Sequence, residues 1–494
     1  MRGIDTEVRK IRRTVFKEVA NLAYHTENLT DDMEALPYKI VNADKSEYWE
    51  SSYRERAVVR ERLRLAMGMS LRPEDQPVHL SHGVEESNIA ERYYEPPLVQ
   101  VIPSACNSCP VNQYTVTSAC LGCLAHPCRE VCPKDAISMK DGKSYIDQAK
   151  CIRCGKCKQI CPYDAITHQK RPCAAACGVN AIKNDERGRA KIDQDACVSC
   201  GQCMVNCPFG AIADKSQLFQ LIKFLESGRK IIAQVAPAFV GQFGPKVTPD
   251  MVKTAIIELG FEDVYETAIG ADAGAMAEAH HYVETVVSGE QDFLLTSCCP
   301  SWSVMAKKYF PETIDQISNA LTPMVATARV IKQEHPDASV VFIGPCASKK
   351  LEAKRRTVRS DVDFVITFEE LAGMFEAKGL LVDEINAAYE MNDATAAGRG
   401  YGAAGGVASA IEQCIQEYYP GTEVKIEHAE SLAECKKILA LAKAGKKNGC
   451  LIEGMACPGG CIAGAGTNIP VMQAAKALES FKKKAEKVIP DNEL

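Results

Sequence analysis

The sequence FLLTSCCPSW at residues 293–302 places two adjacent cysteines directly after a short apolar run. The three apolar residues predict a buried strand that ends where the polar residues begin. Neighbouring cysteines cannot bridge each other without strain, so a disulfide between Cys298 and Cys299 is a poor explanation of the pair. Thiols at a strand end indicate a metal site instead, because α/β folds usually place their chemistry at the carboxyl ends of the strands.

Two further apolar runs also lead into cysteine loops. VVFI at residues 340–343 precedes GPCASKKLE at 344–352, and CLI at 450–452 precedes EGMACPGGC at 453–461. Since parallel strands bring their carboxyl ends to one edge of a sheet, the three loops are expected to deliver their thiols to one place. The sequence therefore predicts a metal site at the carboxyl edge of an α/β sheet.

Composition and charge are those of an ordinary globular protein. The chain has 494 residues, too many for one core, so about two to four domains are expected. The net charge of −6 gives no reason to expect nucleic acid or an anionic membrane as a partner. No apolar run approaches the roughly 20 residues of a membrane span, and the first residues lack the apolar core of a secretory signal. We therefore expect a cytoplasmic protein.

Cysteine is the one unusual residue type, with 24 copies in the chain. None precedes Cys106, and sixteen lie between Cys106 and Cys207. In a reducing compartment, so many clustered thiols indicate metal binding rather than disulfides.

A short motif recurs four times in this cysteine-rich part of the chain. Its copies are CPKDAI at residues 132–137, CPYDAI at 161–166, CGVNAI at 177–182 and CPFGAI at 207–212. Full C-x2-C-x2-C-x3-C-P runs, which are typical of bacterial ferredoxins, begin at Cys151 and Cys197.

The spacing of these cysteines suits [4Fe–4S] clusters. Three closely spaced thiolates surround one cubane, and the fourth thiolate, before proline, reaches the other cluster of a pair. This crossover predicts three ligand sets: Cys120, Cys123, Cys128 and Cys161; Cys151, Cys154, Cys157 and Cys132; and Cys197, Cys200, Cys203 and Cys177.

Four cysteines then remain for a fourth cluster, namely Cys106, Cys109, Cys173 and Cys207. This set follows from counting rather than from spacing. A zinc site or partly free thiols are the alternatives, because the pair Cys106-x-x-Cys109 would serve zinc equally well.

Three parts of the chain differ in pattern. Residues 1–104 form a helical N-terminal segment, with an apolar stripe from Val8 to Leu22, a second helix over 55–67 and a linker over 95–103. Residues 105–228 form the ferredoxin-like domain, with hairpin turns at 141–142 and 186–188 and a closing helix over 214–228. In residues 229–494 strands alternate with helices. The further strands are predicted over 230–235, 362–367 and 424–427, and the further helices over 251–259 and 471–488.

The three cysteine loops, in this order behind ferredoxin motifs, resemble the signature motifs of the [FeFe]-hydrogenases over about residues 105 to 470. The resemblance implies a two-lobed α/β catalytic domain of mixed or parallel sheets flanked by helices. An α+β ferredoxin-like domain and a helical segment would precede it. It also implies the reaction 2H⁺ + 2e⁻ ⇌ H₂, with ferredoxin or another soluble carrier as electron partner and maturation proteins that assemble the cofactor.

The family's cofactor, the H-cluster, joins a [4Fe–4S] cluster to a two-iron unit with carbon monoxide, cyanide and a bridging dithiolate. The resemblance implies Cys299, Cys346, Cys457 and Cys461 as its ligands, with Cys461 as the bridge. Cys298 matches the family's proton-relay thiol; the alternative is a small buried apolar residue.

The resemblance also implies a proton path beyond Cys298. Glu278 and Ser318 occupy matching positions, while His281 and Thr285 stand where the family usually has glutamate and arginine. Histidine can carry protons near neutral pH, so a path could persist. For Glu278 the alternative is a solvated glutamate on a helix surface.

Other family positions surround the cofactor. Lys349 matches a lysine that donates a hydrogen bond to an iron-bound cyanide, and Glu352 could pair with it. The pocket-lining positions are matched by Ala236, Pro237, Pro323 and Met455.

Three departures from the family pattern, at Gly344, Met324 and Ala465, indicate a divergent branch with the same ligand set. Two alternative functions remain: a hydrogen sensor with little turnover, and a non-catalytic iron–sulfur assembly factor. Cys414, Cys435 and Cys450 match no motif and are predicted to be buried free thiols.

Overall fold

The computed structural model describes residues 6–41, 51–89, 96–355, 357–359, 361–391 and 394–492. Residue 95, at the start of the predicted linker, lies outside the described residues. Among those residues, no helix is long and apolar enough to cross a membrane.

The N-terminal segment is helical, as predicted. Its helices are α1 (Glu7–His25), α2 (Leu29–Ile40), α3 (Ser52–Ala66) and α4 (Val84–Ser87). The end of α3 shows why the sequence stops the helix near Gly68. This glycine has a φ of 78°, its N–H bonds to the carbonyl of Leu65, and the next N–H, of Met69, bonds to Arg64. The two bonds form a Schellman motif, which satisfies the last carbonyls of the helix.

The predicted linker is wrong in part, because it contains a strand. Residues Val99–Val101 form β1 and pair antiparallel with Ile212–Asp214, the last strand of the ferredoxin-like part, and a 3₁₀ turn follows at Pro103–Ala105. A proline-flanked run of three residues carries too little periodicity to predict a strand. Its partner lies more than a hundred residues away.

The ferredoxin-like part consists of small hairpins and short helices. Its elements are β2 (Asn112–Val116), α5 (Pro127–Glu130), β3 (Ile137–Lys140), β4 (Lys143–Ile146), α6 (Lys156–Ile160), β5 (Ile166–Lys170), α7 (Pro172–Ala175), β6 (Ile182–Asn184), β7 (Ala190–Ile192), α8 (Gln202–Asn206), β8 (Ile212–Asp214) and α9 (Leu218–Glu226). The pairs β2–β5, β3–β4 and β6–β7 are antiparallel. Both predicted hairpin turns are confirmed. At the first of them Asp141 and Gly142 have positive φ, as a tight two-residue hairpin requires.

The remaining strands form two separate parallel sheets. The first has four strands in the order β10 (Asp263–Glu266), β9 (Ile231–Val235), β12 (Ser339–Gly344) and β13 (Phe364–Thr367). The second has three, in the order β11 (Phe293–Leu295), β15 (Cys450–Met455) and β14 (Lys425–Glu430). The predicted two-lobed α/β class is confirmed, and the sheets of these lobes are parallel rather than mixed.

Helices cover the two sheets. They are α10 (Pro249–Glu258), α11 (Ala268–His281), α12 (Pro300–Tyr309), α13 (Pro323–Glu334), α14 (Lys349–Glu352), α15 (Phe368–Lys378), α16 (Ala396–Gly400), α17 (Gly406–Tyr418), α18 (Leu432–Lys443) and α19 (Val471–Lys482). A π-helical turn, Tyr282–Val287, extends α11, and 3₁₀ turns lie at Pro237–Phe239, Pro311–Gln316, Val382–Glu384 and Cys461–Ala463. The predicted strands and helices exist, but several limits differ by three residues or more. Helix α3 begins at Ser52 rather than at 55, and α9 begins at Leu218 rather than at 214, which ends β8. Strands β14 and β15 continue to Glu430 and Met455, and α19 ends at Lys482 rather than at residue 488.

Helix α1 shares a hydrophobic core with the four-stranded sheet and its helices. Its buried stripe packs on α15, where a Cβ added at Gly373 would lie only 2.9 Å from the Cβ of Phe16. Arg12 adds an ion pair with Glu369 at 2.5 Å. The N-terminal segment is therefore an integral part of the packing around the four-stranded sheet.

Substitution of Phe16 by alanine should lower the thermal unfolding midpoint by several degrees, because truncating a buried phenylalanine costs about 3–5 kcal/mol. Tyr53→Ala is the control, since this aromatic side chain on α3 is 82% exposed. Differential scanning calorimetry gives both midpoints. Equal shifts for the two variants would contradict a structural role for α1.

Candidate functional site

Three cysteine loops converge between the two lobes. The loop after β11 carries Cys298 and Cys299, the loop after β12 carries Cys346, and the loop after β15 carries Cys457 and Cys461. All five thiols line one cavity with about 830 Å³ of atom-free space. The predicted convergence is correct, but the loops come from two sheets rather than from one sheet edge.

Burial and mutual repulsion make thiolates unfavourable in this cavity. Burial raises the pKa of Cys461 well above its usual value, and the thiols of Cys346, Cys299 and Cys457 raise it further. Burial likewise raises the pKa of Cys299, with Cys346 the next cause. Thiolates in such a position need a strongly cationic partner, which a metal cluster supplies.

Apolar side chains form the other walls of the cavity. The four predicted pocket residues, Ala236, Pro237, Pro323 and Met455, all line it. Two departures from the family pattern fit the same packing. Met324 is fully buried in the wall, and a Cβ added at Gly344 would lie 2.5 Å from the ring of Phe342, which also lines the cavity. A larger residue at position 344 would therefore require that ring to move.

One ammonium group enters this apolar cavity. Lys349 is 8% exposed and lines the cavity, and its Nζ lies 2.7 Å from Oε2 of Glu352. Thr322 donates a hydrogen bond of 2.8 Å to the other carboxylate oxygen of Glu352. Burial alone would lower the pKa of Lys349, but the Glu352 carboxylate raises it above its usual value. The lysine therefore stays charged, and Glu352 holds it from behind without lining the cavity itself.

Glu278 is buried behind Cys298. It lies on α11 and is 2% exposed, so the alternative of a solvated helix glutamate is wrong. Its Oε1 accepts hydrogen bonds from the backbone N–H (3.2 Å) and hydroxyl (3.3 Å) of Ser297. Burial raises the pKa of Glu278 to about 7, although hydrogen bonds from Ser318 and Ser297 oppose the shift. Ser318 lies next to Glu278, as the predicted path requires. The contact of Ser297 with Glu278 was not predicted, because a serine beside a cysteine pair carries no pattern of its own.

The predicted outer part of the proton path is not joined by hydrogen bonds. His281 ends α11, and its Nδ1 is buried without a partner among the described residues. Thr285 donates to the backbone carbonyl of His281 at 2.7 Å, within the π-helical turn. The Thr285 hydroxyl is thereby directed to the backbone and not to the imidazole ring.

Four of the six C-x-x-C pairs, those that begin at Cys106, Cys120, Cys151 and Cys197, share one loop conformation. The residue before the second cysteine of each of these pairs has a positive φ: Ser108, Gly122, Arg153 and Ser199. The four copies of the repeat have a second left-handed position, occupied by Asp135, Asp164, Asn180 and Gly210. Only Gly, Asn and Asp adopt this left-handed conformation readily, which explains why the fourth residue of each repeat copy is one of these three types. Cys106-x-x-Cys109 thus has the same local shape as the pairs with full ferredoxin spacing.

The four cysteines predicted to bind the fourth cluster do come together. Cys106, Cys109, Cys173 and Cys207 line one cavity with about 310 Å³ of atom-free space. Burial raises the pKa of Cys173 to about 11, with the Cys207 thiol the next cause. Four converging thiols that line one pocket suit a cluster ligand set.

A second cysteine set lies against the large cavity of the three cysteine loops. Burial raises the pKa of Cys203, and the neighbouring thiols of Cys200, Cys197 and Cys177 raise it further, as expected if the four share one centre. Cys200 also lines the large cavity. From the same loop, Gln202 donates from Nε2 to the sulfur of Cys457 at 3.1 Å, a contact that the sequence did not reveal.

The two predicted sets at residues 120–161 lie farther out. Cys128 and Cys157 are buried in one small core, with Cys132 and Cys151 packed against it, and Cys154 is exposed. In contrast, Cys414, Cys435 and Cys450 are free and buried, as predicted.

Comparisons with known proteins agree with this geometry. Residues 229–465 match the family described as iron only hydrogenase large subunit, C-terminal domain, and residues 144–167 and 189–212 match 4Fe-4S binding domains. Iron hydrogenase 1 of Clostridium pasteurianum is 29% identical over 68% of this chain and 67% of its own. The periplasmic [Fe] hydrogenase large subunit of Nitratidesulfovibrio vulgaris is 30% identical over 51% of this chain and 71% of its own.

Two more distant similarities complete the comparison. The apo [FeFe]-hydrogenase HydA1 of Chlamydomonas reinhardtii is 22% identical, with a TM-score of 0.45 over 52% of this chain and 86% of its own. The cytosolic Fe-S cluster assembly factor NAR1 of Meyerozyma guilliermondii is 29% identical over 26% of each chain. From the family match and the two hydrogenase relatives, the chain belongs to the iron-only, or [FeFe], hydrogenase family.

Proposed function

We propose that this protein is an [FeFe]-hydrogenase that catalyses 2H⁺ + 2e⁻ ⇌ H₂ at an H-cluster. The observation that carries the proposal is the arrangement of Cys298 and Glu278, a partly buried thiol backed by a buried carboxyl, at a cavity that Cys299, Cys346, Cys457 and Cys461 also line. When bound, the H-cluster supplies an open iron position and a basic amine, between which hydrogen is split. The chain supplies binding, exclusion of water, proton transfer and electron supply.

The cavity fits this cofactor. Cys299, Cys346, Cys457 and Cys461 would hold its iron, because four converging thiols are the usual donor set of a cubane. Lys349 is the one ammonium group among the residues that line the cavity. It could donate a hydrogen bond to an iron-bound cyanide, which is a good acceptor. The apolar walls keep water away from the reacting position.

Cys298, Glu278 and Ser318 would move protons. A thiol can both give and take a proton, and a carboxyl with a pKa of about 7 does the same at neutral pH. Beyond Ser318, His281 remains the proposed next group.

The four clusters would carry electrons between the surface and the active site. Cys200 and Gln202 bring the inner cluster loop against the catalytic cavity, and the exposed Cys154 belongs to an outer set. Residues 105–170 hold nine Lys and Arg against five Asp and Glu, a local net charge of +4 in a chain of net −6. This contrast favours an acidic soluble carrier, such as a ferredoxin, as the partner.

The working environment follows from the same chemistry. A diiron unit with carbonyl and cyanide ligands must be built and inserted by maturation proteins, and many free thiols favour the cytoplasm.

The matches to NAR1 favour a second candidate, a non-catalytic assembly factor. Such a factor would not need Cys298, Glu278 and Lys349 together around one cavity.

Hydrogen evolution from reduced methyl viologen, measured on anaerobically matured protein, separates the two functions. The proposed enzyme evolves hydrogen with multiple turnovers. An assembly factor, even with its clusters in place, evolves none.

Cys298→Ala should keep the infrared bands of the carbonyl and cyanide ligands but lose at least about 100-fold in turnover, the range of a general acid–base group. Cys414→Ala is the matched control, because this buried thiol lies outside the cavity lining. A Cys298→Ala variant with wild-type turnover would reject the relay thiol.

The pH dependence of turnover should follow Glu278. Hydrogen production needs the protonated carboxyl and should fall as the pH rises through about 7, whereas hydrogen oxidation needs the carboxylate and should fall as the pH drops through about 7. Glu278→Gln should lower both hydrogen production and hydrogen oxidation by at least about 100-fold. His280→Gln changes an exposed side chain of the same helix and should keep the wild-type profile. If Glu278→Gln also keeps that profile, the carboxyl is not on the path.

Cys173→Ser should reduce bound iron by about four atoms per chain, one cubane. Cys450→Ala, which changes a buried cysteine outside every predicted set, should leave the iron content unchanged. Metal analysis of the purified proteins measures both. If wild-type protein contains zinc that Cys173→Ser lacks, the zinc alternative is correct.

A further inference from the structure

Tyr401 lines the cavity of the cysteine loops and carries a buried hydroxyl that has no partner among the described residues. It follows the short helix α16 and is 6% exposed. Leaving such a group without a partner is costly, so a buried water or another small group is expected there.

The hydroxyl lies next to the helix face that carries Glu278. A Cβ added at Gly274 would be 3.9 Å from the Tyr401 oxygen, and Gly274 precedes Glu278 by one turn of α11. Residues four apart lie on the same side of a helix. Tyr401 also belongs to the hydrophobic cluster against which Cys298 packs.

The charged and titratable groups around this hydroxyl are few. Glu278 and Asp272 face it from α11, Cys298 from the loop after β11, and Cys414 from α17. Burial, reinforced by Glu278, raises the pKa of Tyr401 well above its usual value. The phenol therefore stays neutral and can both donate and accept a hydrogen bond.

A gap separates the proposed relay groups. In the part of the chain that the structure describes, no hydrogen bond joins Cys298 to Glu278, and Oε1 of Glu278 already accepts two bonds from Ser297. Proton transfer across such a gap commonly uses one water, and a buried water needs about two to four polar partners.

We propose that Tyr401 is a positioning residue of the proton relay, whose hydroxyl holds a water between the Cys298 thiol and the Glu278 carboxyl. The inference rests on the proposed hydrogenase function. In each transfer the water gives one proton to one neighbour and receives one from the other, so the water molecule itself is the same before and after the transfer. The hydroxyl fixes the position of the water and keeps its own proton.

Tyr401→Phe tests this directly, because it removes only the oxygen. Turnover should fall by about tenfold or more, in the range seen when outer hydrogen-bond partners are removed. The infrared bands of the carbonyl and cyanide ligands should stay in place. Tyr282→Phe is the matched control, since its buried hydroxyl belongs to the same cluster but donates to the carbonyl of Gly449 at 2.8 Å. It should keep wild-type turnover.

A second measurement needs no diiron unit. The carboxylic acid band of Glu278, identified by its loss in Glu278→Gln, is titrated by infrared difference spectroscopy in protein that carries only its [4Fe–4S] clusters. The charges facing Glu278 include Glu453 from β15 and are the same in both variants. Without the tyrosine and its water, the carboxylate loses a hydrogen-bond donor, so the titration midpoint should rise in Tyr401→Phe and not in Tyr282→Phe.

The outcomes are distinct. An unchanged midpoint, or a shifted midpoint with wild-type turnover, overturns the role of Tyr401. Wild-type protein that never evolves hydrogen overturns the proposed function and the relay with it, while the midpoint still reports whether the hydroxyl contacts Glu278 through water.

Discussion

Four partly buried thiols from two separate parallel sheets share one cavity, and the loops that carry them are held there by the surrounding fold. Thiolates at such a place repel one another, so the arrangement is stable only around a cationic centre. The loops can approach closely because side chains are missing at the contact points. A Cβ at Gly464 would lie 2.4 Å from the carbonyl oxygen of Pro345, and one at Gly460 would lie 2.3 Å from the backbone nitrogen of Ala404.

The same cavity has apolar walls, with the ammonium group of Lys349 in them and the carboxyl group of Glu278 behind them, and both groups have partners outside the wall. Lys349 is backed by Glu352, and Glu352 by Thr322; Glu278 is backed by Ser297 and Ser318. A buried charge that lost its partner would be strongly destabilising, so these outer contacts fix both the charge state and the direction of each group. Tyr401 differs, because its hydroxyl has no such partner among the described residues.

Much of this site could be predicted from the sequence, because cysteine spacing is set directly by cluster geometry. The loops at residues 296–302, 344–352 and 453–461 predicted the converging thiols, and the family resemblance predicted Glu278, Ser318 and Lys349. The separation of β11 and β15 from β12 into another sheet could not be predicted, since an apolar run does not reveal its partner strand. Ser297, Gln202 and Tyr401 were missed for a related reason: no local sequence pattern records their position in the tertiary structure.

The central claim is that the sulfur atoms of Cys299, Cys346, Cys457 and Cys461 hold one iron cubane with a diiron unit beside it. Crystals of anaerobically matured protein, measured at the iron absorption edge, would locate every iron atom. We predict a cubane bound by these four residues and two further irons adjoining Cys461, in the cavity lined by Lys349 and Pro323. Iron confined to the ferredoxin-like part, with these four thiols free in fully matured protein, would contradict the account.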